Sequence, residues 1–502
     1  MSLTRPARSA GVLLHPTSLP GPYGIGDLGP IAFQWIDLLA NAGQTWWQIL
    51  PLGPTGYGDS PYQCFSAFAG NVFLLSPELL ARDGLLPSLD TPSFPADRVD
   101  YGPVLDYKLG MLARAWETFR GGAAHGLRAA FDEFRARESA WLDDYALFVA
   151  LKDAHKGASW QTWEKELLRR EPAALDRALM TLADSVGRYQ FGQFLFTRQW
   201  SALKAYAHTR GIRLIGDVPI FVASDSADVW ANSGLFQLDA HRRPTVVAGV
   251  PPDYFSPTGQ LWGNPHYDWK AMRAADYAWW VARFRKTLEQ VDLVRLDHFR
   301  GFAASWEVPA DKPTAEIGHW VPGPGADLLT ALKKALGGLP IIAEDLGVIT
   351  PDVEKLRTDF GLPGMRILQF AFDNSDNRFL PHHFDPNTVV YTGTHDNDTT
   401  VGWYDAMPAH ERHYLDRYLP GRGSDIAWDL IRVALASVAD YAIVPLQDIL
   451  SLPTTARMNY PGKPANNWRW RFASGQLHQG LMDRLGDLTA LFSRRPADAK
   501  TT

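Results

Sequence analysis

The sequence predicts an α/β fold: a (β/α)8 barrel with helical and loop insertions. Three observations predict it. Eight short apolar or β-branched runs sit beside turn residues, helical patterns lie between several of them, and three of the runs end in acidic clusters. The clusters are Arg295-Leu296-Asp297-His298-Phe299-Arg300-Gly301, Ala343-Glu344-Asp345-Leu346-Gly347 and Thr394-His395-Asp396-Asn397-Asp398. One carboxylate at a buried strand end is commonplace. Three in chain order match a site built on the C-terminal face of a barrel. An open doubly wound sheet is the structural alternative.

The strands are read in order at 11–14, 45–50, 213–217, 293–297, 339–344, 365–368, 388–392 and 441–445. Helical periodicity fills 31–42, 198–210, 274–288, 326–336 and 424–439. About 160 residues separate the second and third strands, more than a βα connection needs. Within them 105–119 and 127–152 are helical in pattern, so 63–190 is expected to be a mainly helical insertion. Residues 218–290, rich in Pro, Gly and aromatic side chains, are expected to be an aromatic loop and helix insertion after the third strand. The whole of 1–502 is expected to be one catalytic barrel. After Phe472 the pattern supports one or two helical turns, then a frayed polar end from Arg494.

Composition bounds the function. The 502 residues are 46% hydrophobic and 21% charged, an ordinary globular balance. Net charge is −6 with no Lys/Arg-rich run, so the footprint of nucleic-acid binding is missing. No stretch approaches the roughly 20 apolar residues of a membrane helix, and the run at 11–14 is too short for a signal-peptide core. A cytoplasmic enzyme is the expectation. Cys64, the single cysteine, excludes an internal disulfide and a thiolate zinc cluster; it reads as a bystander. Many aromatic residues sit in Gly/Pro-rich segments, such as Tyr57-Gly58-Asp59-Ser60-Pro61-Tyr62 and Leu261-Trp262-Gly263-Asn264. Rings on loops suit sugars, whose C–H faces stack on them.

Several patterns carry little. Gly24-x-Gly26-x-x-Gly29 has the dinucleotide spacing but follows a loop, and no acid lies near 20 residues beyond it. Asn397-Asp398-Thr399 is a glycosylation sequon with no secretion signal. His382-His383 and His395-Asp396 are not spaced as a metal set.

The acidic strand ends fit glycoside chemistry. One carboxylic acid protonates the leaving oxygen, and one carboxylate acts at the sugar carbon. Arg295 lies two residues before Asp297 on the same strand face and favours its charged form. Glu344 and Asp345 alternate to opposite faces, and periodicity alone does not choose between them.

At these residues the chain closely resembles the 4-α-glucanotransferases of the amylomaltase type, a branch of the α-amylase superfamily. The resemblance runs from His15-Pro16-Thr17-Ser18-Leu19-Pro20-Gly21 to Asn467-Trp468-Arg469-Trp470-Arg471. It is carried by Gly53-Pro54-Thr55-Gly56 through Tyr62, Gly216-Asp217-Val218-Pro219-Ile220, Pro251-Pro252-Asp253-Tyr254-Phe255, Trp262-Gly263-Asn264-Pro265 and Ala456-Arg457-Met458-Asn459-Tyr460-Pro461-Gly462. It implies Asp297 as nucleophile, Glu344 as general acid/base and Asp396 as the third carboxylate. Substrate contacts are implied for Asp217, Arg295, His298 and His395, for Tyr62 as a donor-side platform, and for Tyr254, Phe255 and Trp262 on a loop over the cleft. Ser60 and Asn264, inside the quoted motifs, are expected contacts too.

The resemblance implies no metal, no cofactor and no C-terminal β-sandwich. The implied activity is retaining transfer between α-1,4-glucans such as maltooligosaccharides and amylose, with glucose as an acceptor and cycloamylose as a possible product. A monomer or weak homodimer is expected. The alternatives are an α-1,4-glucan hydrolase, a non-catalytic glucan-binding barrel and a metal-dependent barrel hydrolase.

Overall fold

A computed structural model describes residues 7–496, apart from 91, 253–255, 422 and 464, together with all but the side chain of Tyr57. Eight strands form one all-parallel sheet: β1 (Ser9–Leu13), β2 (Trp46–Gln48), β3 (Arg213–Val218), β4 (Leu293–Leu296), β5 (Ile341–Ala343), β6 (Gly364–Ile367), β7 (Thr388–Tyr391) and β8 (Tyr441–Pro445). Their order is β6-β7-β8-β1-β2-β3-β4-β5. The seam between β5 and β6 is closed differently. The Ala343 N–H donates to the Pro363 carbonyl at 2.9 Å, and the Met365 N–H donates to the Asp345 carboxylate at 2.7 Å. Gly364 is required there, because a Cβ would sit 2.6 Å from Asp345 Oδ2.

Alternation sorts each strand. Leu13, Trp46, Ile215, Leu293, Ile342, Met365, Ile367, Val389, Tyr391 and Ile443 pack together inside the barrel. Their neighbours, including Val12, Trp47, Leu214, Val294, Ile341, Val390 and Val444, pack outward against the helices. The interior parity continues from Ile215 to Asp217, from Leu293 to Arg295 and Asp297, and from Ile342 to Glu344. Asp345 follows the outward parity of Ile341 and Ala343. There Arg366 Nη1 and Arg357 Nε lie 3.3 and 3.5 Å from its carboxylate.

Between β2 and β3 the chain is dominated by helices, the longest being Tyr101–Arg120, Arg128–Ala154 and Ala183–Thr209. A four-stranded antiparallel sheet, unanticipated from the sequence, joins two excursions. Strands Gln260–Pro265 and Val246–Val250 follow β3; Ala304–Pro309 and His319–Pro322 follow β4. The chain end also departs from expectation. Gln479–Leu491 is a 13-residue helix, more than three turns, burying Met482, Leu485 and Leu488. Arg494 is not frayed: it is fully buried and donates to the carbonyls of Ser9, Leu435 and Ser437. Residues 497–502 lie outside the described set.

Among the described residues, no helix is long and apolar enough to cross a membrane, and no group of three or more His, Cys, Asp or Glu is arranged to hold a metal ion.

Candidate active site

The three acids emerge just beyond β4, β5 and β7, at the C-terminal mouth of the barrel. A chain of contacts links them. Arg295 is the centre: Nη1 lies 2.6 Å from Asp217 Oδ2 and Nη2 lies 2.8 Å from Asp297 Oδ1. Asp217 Oδ2 also accepts from the Tyr62 hydroxyl at 2.9 Å. That hydroxyl lies 2.9 Å from His395 Nε2, whose ring stacks on Tyr62 with centroids 5.2 Å apart. His395 Nε2 in turn lies 3.4 Å from Asp396 Oδ2. Since the hydroxyl donates to Asp217, His395 presents Nε2–H to it.

Glu344 is fixed by backbone donors. Its Oε2 accepts from the His298 N–H at 2.8 Å and its Oε1 from the Leu346 N–H at 2.7 Å. His298 immediately follows Asp297 and takes a left-handed conformation, φ 51° and ψ 49°. That strain, about 1–2 kcal/mol for a residue with a Cβ, turns its N–H onto Glu344 and ties the two acids' turns together.

The electrostatics separate the acids. Burial, then the Asp297 carboxylate, pushes the Glu344 carboxyl up to about 7, against Arg295 and the two backbone donors. Burial opposes the Arg295 charge, but Asp217 and Asp297 outweigh it and hold the guanidinium pKa well above its ordinary value. Asp217 has a raised pKa from burial, countered by Arg295. The Asp297 side chain remains 30% exposed and that of Asp396 44%, so both are accessible from solvent. His298 is pushed down to about 4 by burial and stays neutral, with its Nε2 unpartnered.

The remaining sequence-derived residues divide. Trp262 stands edge-on to His298, centroids 4.8 Å apart. Asn264 is buried; its amide donates to the Val222 carbonyl at 2.8 Å and accepts from Gln63 at 3.4 Å, so it braces loops. The Ser60 hydroxyl accepts from the Tyr62 N–H at 3.2 Å, holding the turn that carries Tyr62. Tyr254 and Phe255 lie outside the described residues. Cys64 donates to the Pro61 carbonyl, and burial pushes its thiol up to about 12. His382 and His383 bond Tyr418 and the Asn377 carbonyl.

Two contacts were missed. Trp468 packs on both Tyr62 and His395, at 5.7 and 5.9 Å. Asn459 donates to Asp396 Oδ1 at 2.6 Å. Both belong to motifs visible in the sequence, but nothing local links them to partners about 60 residues or more away.

Comparison with known proteins is consistent across the chain. Residues 14–477 match the family model described as 4-alpha-glucanotransferase. A 4-alpha-glucanotransferase of Thermus thermophilus is 53% identical, covering 94% of this chain and 96% of the relative. One from a Synechocystis strain is 52% identical, covering 97% and 98%. The solved amylomaltase of Streptococcus agalactiae, in complex with acarbose, superimposes with TM-score 0.94 at 37% identity, covering 97% of this chain and all of that one.

Proposed function

The chain belongs to the 4-alpha-glucanotransferase family, and on that premise we propose how its own residues divide the reaction. The activity is disproportionation of α-1,4-glucans: a segment leaves one chain and joins the 4-hydroxyl of another.

Asp297, whose Oδ1 lies 2.8 Å from Arg295 Nη2, attacks the anomeric carbon. Glu344 protonates the glycosidic oxygen as that bond breaks. The first glucan fragment departs, and the other stays covalently on Asp297. Glu344, now ionised, takes the proton of an incoming 4-hydroxyl, and the new bond forms with configuration retained. Asp396 receives hydroxyls of the distorted sugar. Tyr62 and Trp262 offer ring faces; His298, neutral by burial, offers a hydrogen-bonding nitrogen.

The observation that carries this division is the contrast between two neighbouring acids. One is pinned to a guanidinium; the other is pushed up to about 7. A proton donor and a charged nucleophile need that separation. Transfer against hydrolysis depends on whether sugar or water captures the intermediate. Incubation with maltotriose tests it: the expected products are glucose and a ladder of longer chains, while shorter products alone would overturn transfer. Asp297→Asn and Glu344→Gln are each expected to lose several orders of magnitude in rate, because the pair acts as a unit; near-normal disproportionation by either would overturn its role.

Some cyclisation to cycloamylose, a cytoplasmic location and a monomer or weak-homodimer state complete the proposal. Size-exclusion chromatography tests the last.

A further inference from the structure

The turn that presents Asp396 is gripped by a segment beyond β8 that the mechanism above does not use. Three hydrogen bonds make the grip and a fourth braces the gripping segment. Arg457 Nη2 donates to the Asp396 carbonyl at 2.7 Å, and Arg457 Nε donates to the Asn459 carbonyl at 2.7 Å. The Asn459 N–H donates to the His395 carbonyl at 3.1 Å. The Asn459 side-chain amide donates to Asp396 Oδ1 at 2.6 Å. Three of these fix backbone; the one to Oδ1 fixes the carboxylate itself.

We infer that Asn459 is a positioning residue for glucan transfer: its amide holds the Asp396 carboxylate in the orientation that receives the reacting sugar's hydroxyls. The inference rests on the role proposed for Asp396. The carboxylate is 44% exposed, and His395 Nε2 at 3.4 Å is a long contact; without the amide its side-chain rotation is loosely held. Asn459 is itself held rigidly. Met458 and Trp468 are buried in the barrel-interior cluster. The Trp468 N–H donates to the Met458 carbonyl at 2.8 Å, and the Tyr101 hydroxyl donates to the Trp468 carbonyl at 2.8 Å. The support for Asp396 is thus rooted in the core.

The residue type has a reason. Asp217 is paired with a guanidinium, which competes with any sugar hydroxyl for its charge. A neutral amide orients Asp396 with one N–H and leaves the negative charge for substrate. The bond occupies one side of Oδ1 and leaves the remaining acceptor positions for sugar hydroxyls.

The experiment measures kcat and KM for maltotriose disproportionation, with thermal midpoint, for wild type, Asn459→Ala, Asn459→Asp and Asp396→Ala. Asn459→Ala is expected to lower kcat on the order of 10- to 100-fold with little change in KM, since small misplacements act mainly in the transition state. Asn459→Asp keeps the side-chain shape but sets carboxyl against carboxylate. It is expected to be nearly inactive at neutral pH and to recover, relative to wild type at the same pH, as acid restores a shared proton and hence a donor. The other titratable or charged groups around that carboxylate are His395, Tyr62 and, on its backbone carbonyl, Arg457; the wild-type ratio removes their titration.

Asn459→Asp carries the test if the alanine variant fails to fold. With Asp396→Ala inactive, an Asn459→Ala kcat within twofold of wild type, or an Asn459→Asp loss equal at every pH, overturns the inference. An active Asp396→Ala would instead overturn the role given to Asp396, and the inference with it.

Discussion

Raising the pH through the ionisation of Glu344 removes the proposed proton donor, and the loss has a calculable size. The carboxyl moves from its ordinary 4.5 up to about 7, by burial first and by Asp297 second. Each tenfold change in an ionisation constant is worth about 1.4 kcal/mol, so the charged form is disfavoured by about 3 kcal/mol relative to water. About half of the enzyme carries the proton at pH 7, about a tenth at pH 8 and about a hundredth at pH 9. The value of kcat/KM reports the free enzyme and its first committed step, so it is expected to fall roughly tenfold per pH unit above about 7. Initial rates of glucose release from maltotriose between pH 5 and 9, at constant ionic strength, measure this. The causes are testable separately. In Asp297→Asn the second cause is gone, and Glu344 is expected to titrate lower but still above 4.5, because burial remains. Carbon NMR of labelled glutamate, with Glu344→Gln identifying the signal, reads that titration. An alkaline limb near pH 5, or none up to pH 9, refutes the assignment of Glu344 as acid. A titration unmoved in Asp297→Asn refutes the electrostatic link.

The same proton is linked to folding. The folded chain holds it through the window from 4.5 to about 7, where the unfolded chain has released it; the stabilisation is full below 4.5 and lost as pH rises through about 7. The thermal midpoint of Glu344→Gln minus that of wild type is therefore expected to rise between pH 4.5 and 8, and a flat difference would refute it. Asp345→Asn strands Arg366 and Arg357 beside a seam closed by the lost carboxylate. It is expected to cost about 3–5 kcal/mol of stability, read by thermal or urea unfolding, a larger loss than Glu344→Gln at neutral pH. Tyr62→Phe keeps the stack on His395 but removes the hydroxyl from buried Asp217. The expected cost is about 1–3 kcal/mol, visible as a lowered thermal midpoint together with weaker transfer.

Much of the barrel was legible in the chain because its signals are local. A strand of three to six residues announces itself through β-branched runs and flanking turns, and the observed eight fall on the expected ones within a few residues at each end. Acids directly after such runs lie at strand ends wherever the strands go. What was not legible depends on residues meeting across long separations. The antiparallel sheet pairs Val246–Val250 with Ala304–Pro309, two excursions separated by β4, and neither half shows the partner its hydrogen bonds need. Arg494 looked like polar fraying because the carbonyls it binds, at Ser9, Leu435 and Ser437, are remote in sequence.

The sequence by itself determined the fold class, the strands in chain order and the family; it put Asp297, Glu344 or Asp345, and Asp396 at strand ends, and the family resemblance implied Glu344 of that pair. Tertiary structure decided which face of each strand is the inside. Alternation fixes that Glu344 and Asp345 oppose one another; only barrel closure, with Ile342 buried among Ile215, Leu293 and Met365, turns Glu344 toward the cleft and Asp345 toward Arg366. It also decided what surrounds each acid. The pKa of Glu344 near 7 and the amide on Asp396 arise from burial and from neighbours brought in from other strands and loops. Burial and charge act through space, and a linear pattern carries no distances.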